Sequence, residues 1–465
     1  MMRIMNTITD KPDWQLKVFD KRITTKWREE VAQSAQDVSA RMMDWIIAEL
    51  KWKADKLRDI GFSDNAISPG LRAALKEAVS PLEDVPEDQR DYHPGSNGKV
   101  IDLVHPSLFP LEYGRTRVLP DRVIGLDDCL ESIGQGTLLL VPSESDIKRS
   151  EPSLAIFQWL PCEVDLADTG LCRIISYINN AHPVKHRALY QAAEKILAQT
   201  IPLWQSSLTK KPFRGDRIKV QRSPPDDAEG YEFDQYEECR TEWYASRRIK
   251  QPEPGVFKVT KPLYPAVNFQ KRFPNQKIQV IVKLASIMLT PEKPDYEGGA
   301  WHIEGQLNER IAASAIYYYD SHNITASSLA FRHRGMSDLY DSRNEVLITQ
   351  DLGSVDTKEG RLLTFPNTLQ HRVSLFFLAD RSKPGHRKIL ALFLVNPHHR
   401  IISSANVPPQ REGLAGDWRP CFGPRSGHNH DDHGGGQGIR LELMEERGLS
   451  SQENNNAFEM GEFCL

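Results

Sequence analysis

Residues 359–376 read EGRLLTFPNTLQHRVSLF and residues 384–395 read PGHRKILALFLV. Together they decide the fold class. In the first, Leu369, His371, Val373 and Leu375 alternate, so on a strand they share one face and His371 points inward among apolar neighbours. In the second, the residues after Arg387 are apolar on both faces, which is the pattern of a strand covered on both sides. Pro366-Asn367 punctuates the first stretch and reads as a hairpin turn.

The same texture extends upstream to residue 277. KIQVIVKLASIML (277–289), AWHIE (300–304), IAASAIYYY (311–319), EVLITQ (345–350), RLLTFP (361–366), LQHRVSLFFL (369–378) and KILALFLV (388–395) are short, β-branched or aromatic, and separated by turn residues. Such a succession predicts a strand-rich sandwich or barrel over about 276–407. Ahead of it, residues 24–60 place Trp27, Val31, Ala35, Val38, Met42, Trp45, Ile46, Leu50, Leu57 and Ile60 three or four apart, which predicts one long amphipathic helix. Ser68-Pro69 offers a capping hydroxyl and a preorganised first turn for a second helix, running to about Val79.

These patterns divide the chain into an N-terminal helical region (1–95), an α+β middle region (96–275), the strand-rich core (276–407) and a Gly-, Asn- and His-rich flexible tail (408–465). The proline- and charge-rich stretch 80–99 marks the first boundary. The middle region carries a helical stretch from about His186 to Trp204 and a charged insertion at 207–255, basic first and then acidic, which reads as solvated. A chain of 465 residues has room for up to three domains of roughly 150 residues.

Composition narrows the function classes. With 59 basic and 63 acidic residues the net charge is −4, so no global field draws the chain to nucleic acid or an anionic membrane. The longest aliphatic run, Ile389 to Val395, falls far short of the ~20 residues that span a bilayer, and the first residues hold no apolar signal core. The six cysteines lie apart, with no Cys-x-x-Cys pair, which fits a reducing, cytoplasmic setting. A small-molecule substrate is the partner this balance leaves; no feature sets an oligomeric state.

Candidate chemistry begins at AWHIEG. On a strand, His302 and Glu304 share a face while Ile303 points away, so one segment offers an imidazole and a carboxylate to one metal. The pair alone arises by chance in a chain with 14 histidines. His371 supplies a second imidazole from an inward face, and two imidazoles with one carboxylate leave open positions on an octahedral ion, as non-haem Fe(II) oxygenases use. Arg387, entering a buried strand, needs an anionic partner: a protein acid, or a carboxylate gripped by its planar fork.

The order His-x-acid, distant His, then Arg resembles that of the Fe(II)/2-oxoglutarate-dependent dioxygenases, and the two stretches quoted first look like the prolyl-hydroxylase-type double-stranded β-helix, or jelly roll. That resemblance implies that His302, Glu304 and His371 bind Fe(II), that Arg387 pairs with the distal carboxylate of 2-oxoglutarate, and that Tyr318 adds a bond to it. It implies oxidation, most simply hydroxylation, of a substrate C–H bond with O2. Glu304 stands where most of the superfamily has aspartate. Over residues 100–410 the chain also resembles a mainly fungal family of proteins without assigned chemistry, in DLVHPSLFPLEYGRTRVL, WLPCEV, SYINNAHP, EGGAWHIEGQLNERI and HRKILALFLVNPHHRIISSANVPPQ.

Two other classes of function use the same residues. A cupin-like metal enzyme without 2-oxoglutarate would make Arg387 structural, and a non-catalytic jelly-roll scaffold would make the triad incidental. His428, His430, Asp432 and His433 in the tail form a second metal candidate, held by no strand. His105, His182 and His398-His399 read as structural or surface residues, and Asp295, Tyr296 and Glu297 as a solvated loop before the triad.

Overall fold

The computed structural model describes residues 1–34, 38–60, 64, 66–141, 156–166, 171–209, 253–259, 266–273, 277–334, 349–410 and 440–448. The architecture is mixed α+β with antiparallel sheets. Most of the charged insertion, and the tail residues His428, His430, Asp432 and His433, lie outside the described residues.

Helices α1 (Met2–Thr9), α2 (Trp14–Lys17), α3 (Lys21–Ser34) and α4 (Ala40–Ile60) come first. The single helix expected over 24–60 is two. The side chain of Ser39 accepts from the Met42 amide at 3.1 Å, a cap that starts α4 afresh. Ile4, Ile8, Trp27, Met43, Ile46 and Leu50 share one apolar cluster, so the expected stripe is a packing face even though the helix is broken. Helix α5 (Pro69–Glu83) starts as expected, with Ser68 Oγ accepting from Leu71 N at 3.2 Å, and runs past Val79 through Pro81. Pro81 sits in the last turn, where its missing amide costs a single bond. Helices α6 (Arg187–Leu208) and α7 (Phe269–Arg272) follow.

The short strands β1 (Val100–Val104), β2 (Leu111–Glu112), β3 (Arg117–Val118), β4 (Thr137–Leu138), β5 (Phe157–Gln158), β6 (Cys162–Leu166) and β7 (Cys172–Ile174) precede the long ones. These are β8 (Lys277–Leu289), β9 (Asp295–Tyr296), β10 (Ile311–His322), β11 (Ser328–Arg334), β12 (Thr349–Asp356), β13 (Leu362–Pro366), β14 (Gln370–Val373), β15 (Phe376–Phe377) and β16 (Gly385–Val395). The main sheet runs β13-β10-β16-β8-β6-β7, with β1 also on β8; a smaller sheet runs β12-β11-β14. Residues 100–174 thus lend edge strands to the sheet built from 277–395.

Each long strand of the main sheet is apolar on both faces because each face meets a different layer. Val280, Val282, Leu284, Ala313, Ala315, Tyr317, Tyr319, Leu390, Leu392 and Leu394 pack with α5 and α6. Ile281, Ile316, Tyr318, Ala391, Phe393 and Val395 face Leu329, Phe331 and Leu352 of the smaller sheet. Pro366-Asn367 is not the tip of a hairpin. Strand β13 pairs with β10 in the main sheet and β14 pairs with β11 in the smaller one, so the turn carries the chain from one sheet to the other.

Residues 440–448, inside the stretch expected to be a flexible tail, are helical. Leu443 is fully buried in the cluster between the sheets. The guanidinium of Arg440 pairs with Asp91 and Asp102, and that of Arg447 pairs with Glu309 while lying over the Trp159 ring. Apolar anchoring at one side chain and ion pairs at two others hold this helix, signals too sparse to stand out in its composition. Among the described residues no helix is long and apolar enough to cross a membrane.

Candidate metal centre

The segment AWHIE is not a strand. It meets β14 through a single bridge, in which His302 N donates to His371 O at 3.2 Å and His371 N to His302 O at 2.9 Å. Glycines in left-handed conformations bracket it, Gly298 at φ 91° and Gly305 at φ 70°. A Cβ on Gly305 would stand 2.5 Å from Ile311 Cδ1, so a glycine is required there on two counts. Strand alternation therefore does not bring His302 and Glu304 together. The loop does, held by Asn367: its Nδ2 donates to Glu304 O and its Oδ1 accepts from Glu304 N, both at 2.9 Å.

The outcome still unites the three expected ligands. Glu304 Oε1 lies 3.9 Å from His302 Nε2 and 3.3 Å from His371 Nε2, and the donor atoms all fall within 4.8 Å of one another. His302 Nδ1 meets the Ala300 carbonyl at 2.9 Å, so in the neutral ring Nδ1 donates and Nε2 presents its lone pair to the centre. The His371 side chain is 2% exposed, with the Phe365 ring 4.8 Å from its own, whereas that of His302 is 38% exposed and opens the centre to solvent.

Electrostatics favour the protonation states a metal needs. Burial and the adjacent His371 push the His302 imidazole down to about 4, against the pull of Glu304. Burial pushes the Glu304 carboxyl up, but the hydrogen bond from His371 and the charges of His302, His371 and Lys283 outweigh it and hold it down at about 2. Near neutral pH the cluster thus offers a neutral imidazole from His302 and a carboxylate from Glu304. Two imidazoles and one carboxylate suit a first-row divalent ion.

Arg387 and Tyr318 border the same inter-sheet space. The side chain of Tyr318 lies in the inter-sheet cluster while Tyr317 and Tyr319 face the helices, which settles which of the three tyrosines looks inward. Arg387 is 2% exposed; its Nη1 donates to Ser327 Oγ at 3.0 Å and to Thr357 Oγ1 at 3.4 Å. Its guanidinium carbon lies 4.3 Å from the Phe376 ring centre and 5.7 Å from that of Tyr318. Among the described residues no carboxylate pairs with it, and Nε is buried without a hydrogen bond. No protein acid among the described residues is thus its counter-charge. Burial lowers the guanidinium pKa, with the tyrosines Tyr318 and Tyr296 opposing.

Sequence reasoning missed Ser327, Thr357, Phe376 and Asn367, whose roles depend on distant contacts. It also passed over a second cluster. His93 Nδ1 lies 2.7 Å from Asp102 Oδ2 and His105 Nε2 3.9 Å from the same oxygen, a geometry that also groups metal-ligating atoms. There the guanidinium of Arg440 occupies Asp102 Oδ2, so the cluster is an ion-pair network closed by the 440–448 helix. Among the other histidines, His182 Nδ1 accepts from Val184 N at 3.1 Å and caps a turn, and His398 packs against Phe273. Asp295 pairs with Arg381, Glu297 with Lys99, and Tyr296 packs on Phe376.

A mixed α+β protein with antiparallel sheets and a His/Glu/His cluster open to solvent is the class that fold and site define. The chain belongs to the family described as "Protein of unknown function (DUF4246)", matched over residues 40–418, and residues 1–30 match the domain described as "DUF4246, N-terminal". No curated protein matches it. Among solved structures it is similar to IDO from Bacillus thuringiensis (12% identity, 26% of this chain and 46% of that one, TM-score 0.19). It is also similar to the Fe(II)/(alpha)ketoglutarate-dependent dioxygenase TqaL (11% identity, 76% and 95%, TM-score 0.25) and to the non-heme monooxygenase ThoJ in its nickel complex (13% identity, 38% and 67%, TM-score 0.16). The chain spans about half the length of the first of these. Identities and TM-scores this low leave the chemistry to the chain's own residues.

Proposed function

We propose that this protein is an Fe(II)- and 2-oxoglutarate-dependent oxygenase that oxidises, most simply by hydroxylation, a C–H bond of a small organic substrate, in the reducing cytoplasm. The observation that carries the reading is Arg387, a buried cation that meets no carboxylate among the described residues, on the inter-sheet face that the donor set adjoins. The strand order β13-β10-β16-β8 opposite β12-β11-β14 supports a double-stranded β-helix.

In this reading His302, Glu304 and His371 hold the iron, and Arg387 grips the distal carboxylate of 2-oxoglutarate. Ser327 and Thr357 orient the guanidinium, Phe376 supports its face, and Tyr318 closes the wall beside it. When bound, the iron and 2-oxoglutarate supply the oxidising chemistry with O2, the cosubstrate leaving as succinate and CO2. The protein's contribution is to keep the His302 imidazole neutral and the Glu304 carboxylate ionised, and to hold a dry cationic end for the cosubstrate. A structural role for Arg387, as the cupin-like alternative requires, finds no acid partner among the described residues.

Anaerobic titration of apo-protein with Fe(II) and then 2-oxoglutarate tests this. A weak visible charge-transfer band is expected in the parent and absent in His371→Ala. Iron binding without the band would sink the cosubstrate assignment, and no iron binding would sink the metal centre.

A further inference from the structure

One cation interrupts the apolar middle of β8, which reads KIQVIVKLASIML. Val280, Val282 and Leu284 point into the helix-side cluster and Ile281 into the inter-sheet cluster, so alternation turns Lys283 toward the space between the sheets. The ladder with β16 sets Lys283 opposite Ala391 and Ile287 opposite Arg387. Lys283 and Arg387 thus share one face of two adjacent strands, separated by about 13 Å along the sheet at the usual rise per residue.

The ladder with β1 sets Asp102 opposite Ala285, so Asp102 lies on the same face as Lys283, one pleat along, and the charge of Lys283 is also felt by His302, Glu304 and His105. Arg440 meets Asp102, Arg361 meets Asp64 and Lys99 meets Glu297. Among the described residues Lys283, like Arg387, meets no carboxylate and makes no hydrogen bond through its ammonium. A half-buried ammonium that no described carboxylate contacts is costly, and an incoming anion that paired with it directly would offset that cost.

We infer that Lys283 anchors a carboxylate of the substrate to be oxidised, so that the site takes monoanionic organic acids. This rests on the function proposed above, in which Arg387 is already engaged by the cosubstrate. A single ammonium with the Asp102 carboxylate close by suits one negative charge better than the two of a phosphate monoester.

The test uses protein loaded with Mn(II) and 2-oxoglutarate under nitrogen, which prevents turnover. Hexanoate and phenylacetate, each beside its amide, and phenyl phosphate are added while the Mn(II)-induced broadening of their proton signals is followed. Broadening of an acid but not of its amide is expected, about tenfold weaker in Lys283→Met and regained in Lys283→Arg, with 2-oxoglutarate binding equal in all three. Failure of both acids to broaden, equal response of acid and amide, equal or stronger broadening of phenyl phosphate, or an unchanged Lys283→Met would overturn the assignment. Failure of the parent to bind 2-oxoglutarate is a separate result that would sink the cosubstrate reading and this one with it.

Discussion

Asn367 and Glu304 grip each other through both polar ends of one amide, donor to carbonyl and acceptor to N–H, each at 2.9 Å. Asn367 stands at the crossing between the two sheets, and Glu304 is the carboxylate of the donor set. The turn that moves the chain between sheets therefore also sets where the candidate carboxylate donor stands. Asn367→Ala leaves both Glu304 backbone groups without this support. Divalent-metal affinity is expected to fall about 10- to 100-fold, measured by competition with a chelating dye, while the far-UV CD spectrum stays that of the parent.

Glu309 carries a longer connection. Fully buried, its Oε2 accepts from Gln306 N at 2.8 Å and its Oε1 from Trp159 N at 2.6 Å, and Oε1 also takes Arg447 from the C-terminal helix. The loop after Glu304 is thus tied to residues 440–448. Glu309→Gln removes the charge opposite Arg447 and is expected to cost about 3 kcal/mol of stability, read as a shift in the urea midpoint with an unchanged slope.

Replacing Arg387 should separate the roles at the centre. Arg387→Ala is expected to spare metal binding and weaken 2-oxoglutarate binding about 100-fold, since two charge-assisted hydrogen bonds go. Arg387→Lys should recover only part of this, because an ammonium is a point charge without the planar fork. Equal cosubstrate affinity in all three would remove Arg387 from the site.

Asp102 predicts an acid limb of stability. Burial pushes its carboxyl up, but His105, the hydrogen bond to His93 and Lys283 outweigh that and hold it well below the usual carboxylate range. A group whose pKa is lower folded than unfolded stabilises above its unfolded value, near 3.9, and loses that contribution as pH falls toward the folded value. Stability against urea should therefore drop below about pH 4, and Asp102→Asn should flatten that limb while lowering stability at pH 7, where Arg440 is left with Asp91 alone.

The sequence by itself singled out His302, Glu304 and His371 as one candidate donor set. His302, Glu304 and His371 do converge, His371 from an alternating strand but His302 and Glu304 from a loop, and alternation set Tyr318 opposite to Tyr317 and Tyr319 without saying which side faces inward. It also showed Arg387 entering a buried strand. The route to convergence was not legible. AWHIE looked like a strand, yet Gly298 and Gly305 make it a loop whose position depends on Asn367, many residues away in the chain. The break between α3 and α4 was likewise hidden, since the apolar stripe of the two helices continues across it and only the Ser39 cap marks the restart.

Tertiary structure alone decided which strands are partners, and with that the meaning of several residues. Pro366-Asn367 has the chemistry of a turn in either arrangement; pairing of β13 with β10 and β14 with β11 makes it a crossing between sheets. Arg387 needed a counter-charge on any reading, but only the folded chain shows that no described acid reaches it. The 440–448 helix has little apolar pattern to announce it, and its place follows from Leu443, Arg440 and Arg447 meeting groups far away in the chain. Local geometry follows from neighbouring residues, whereas counter-charges and strand partners come from contacts that form only when distant segments pack.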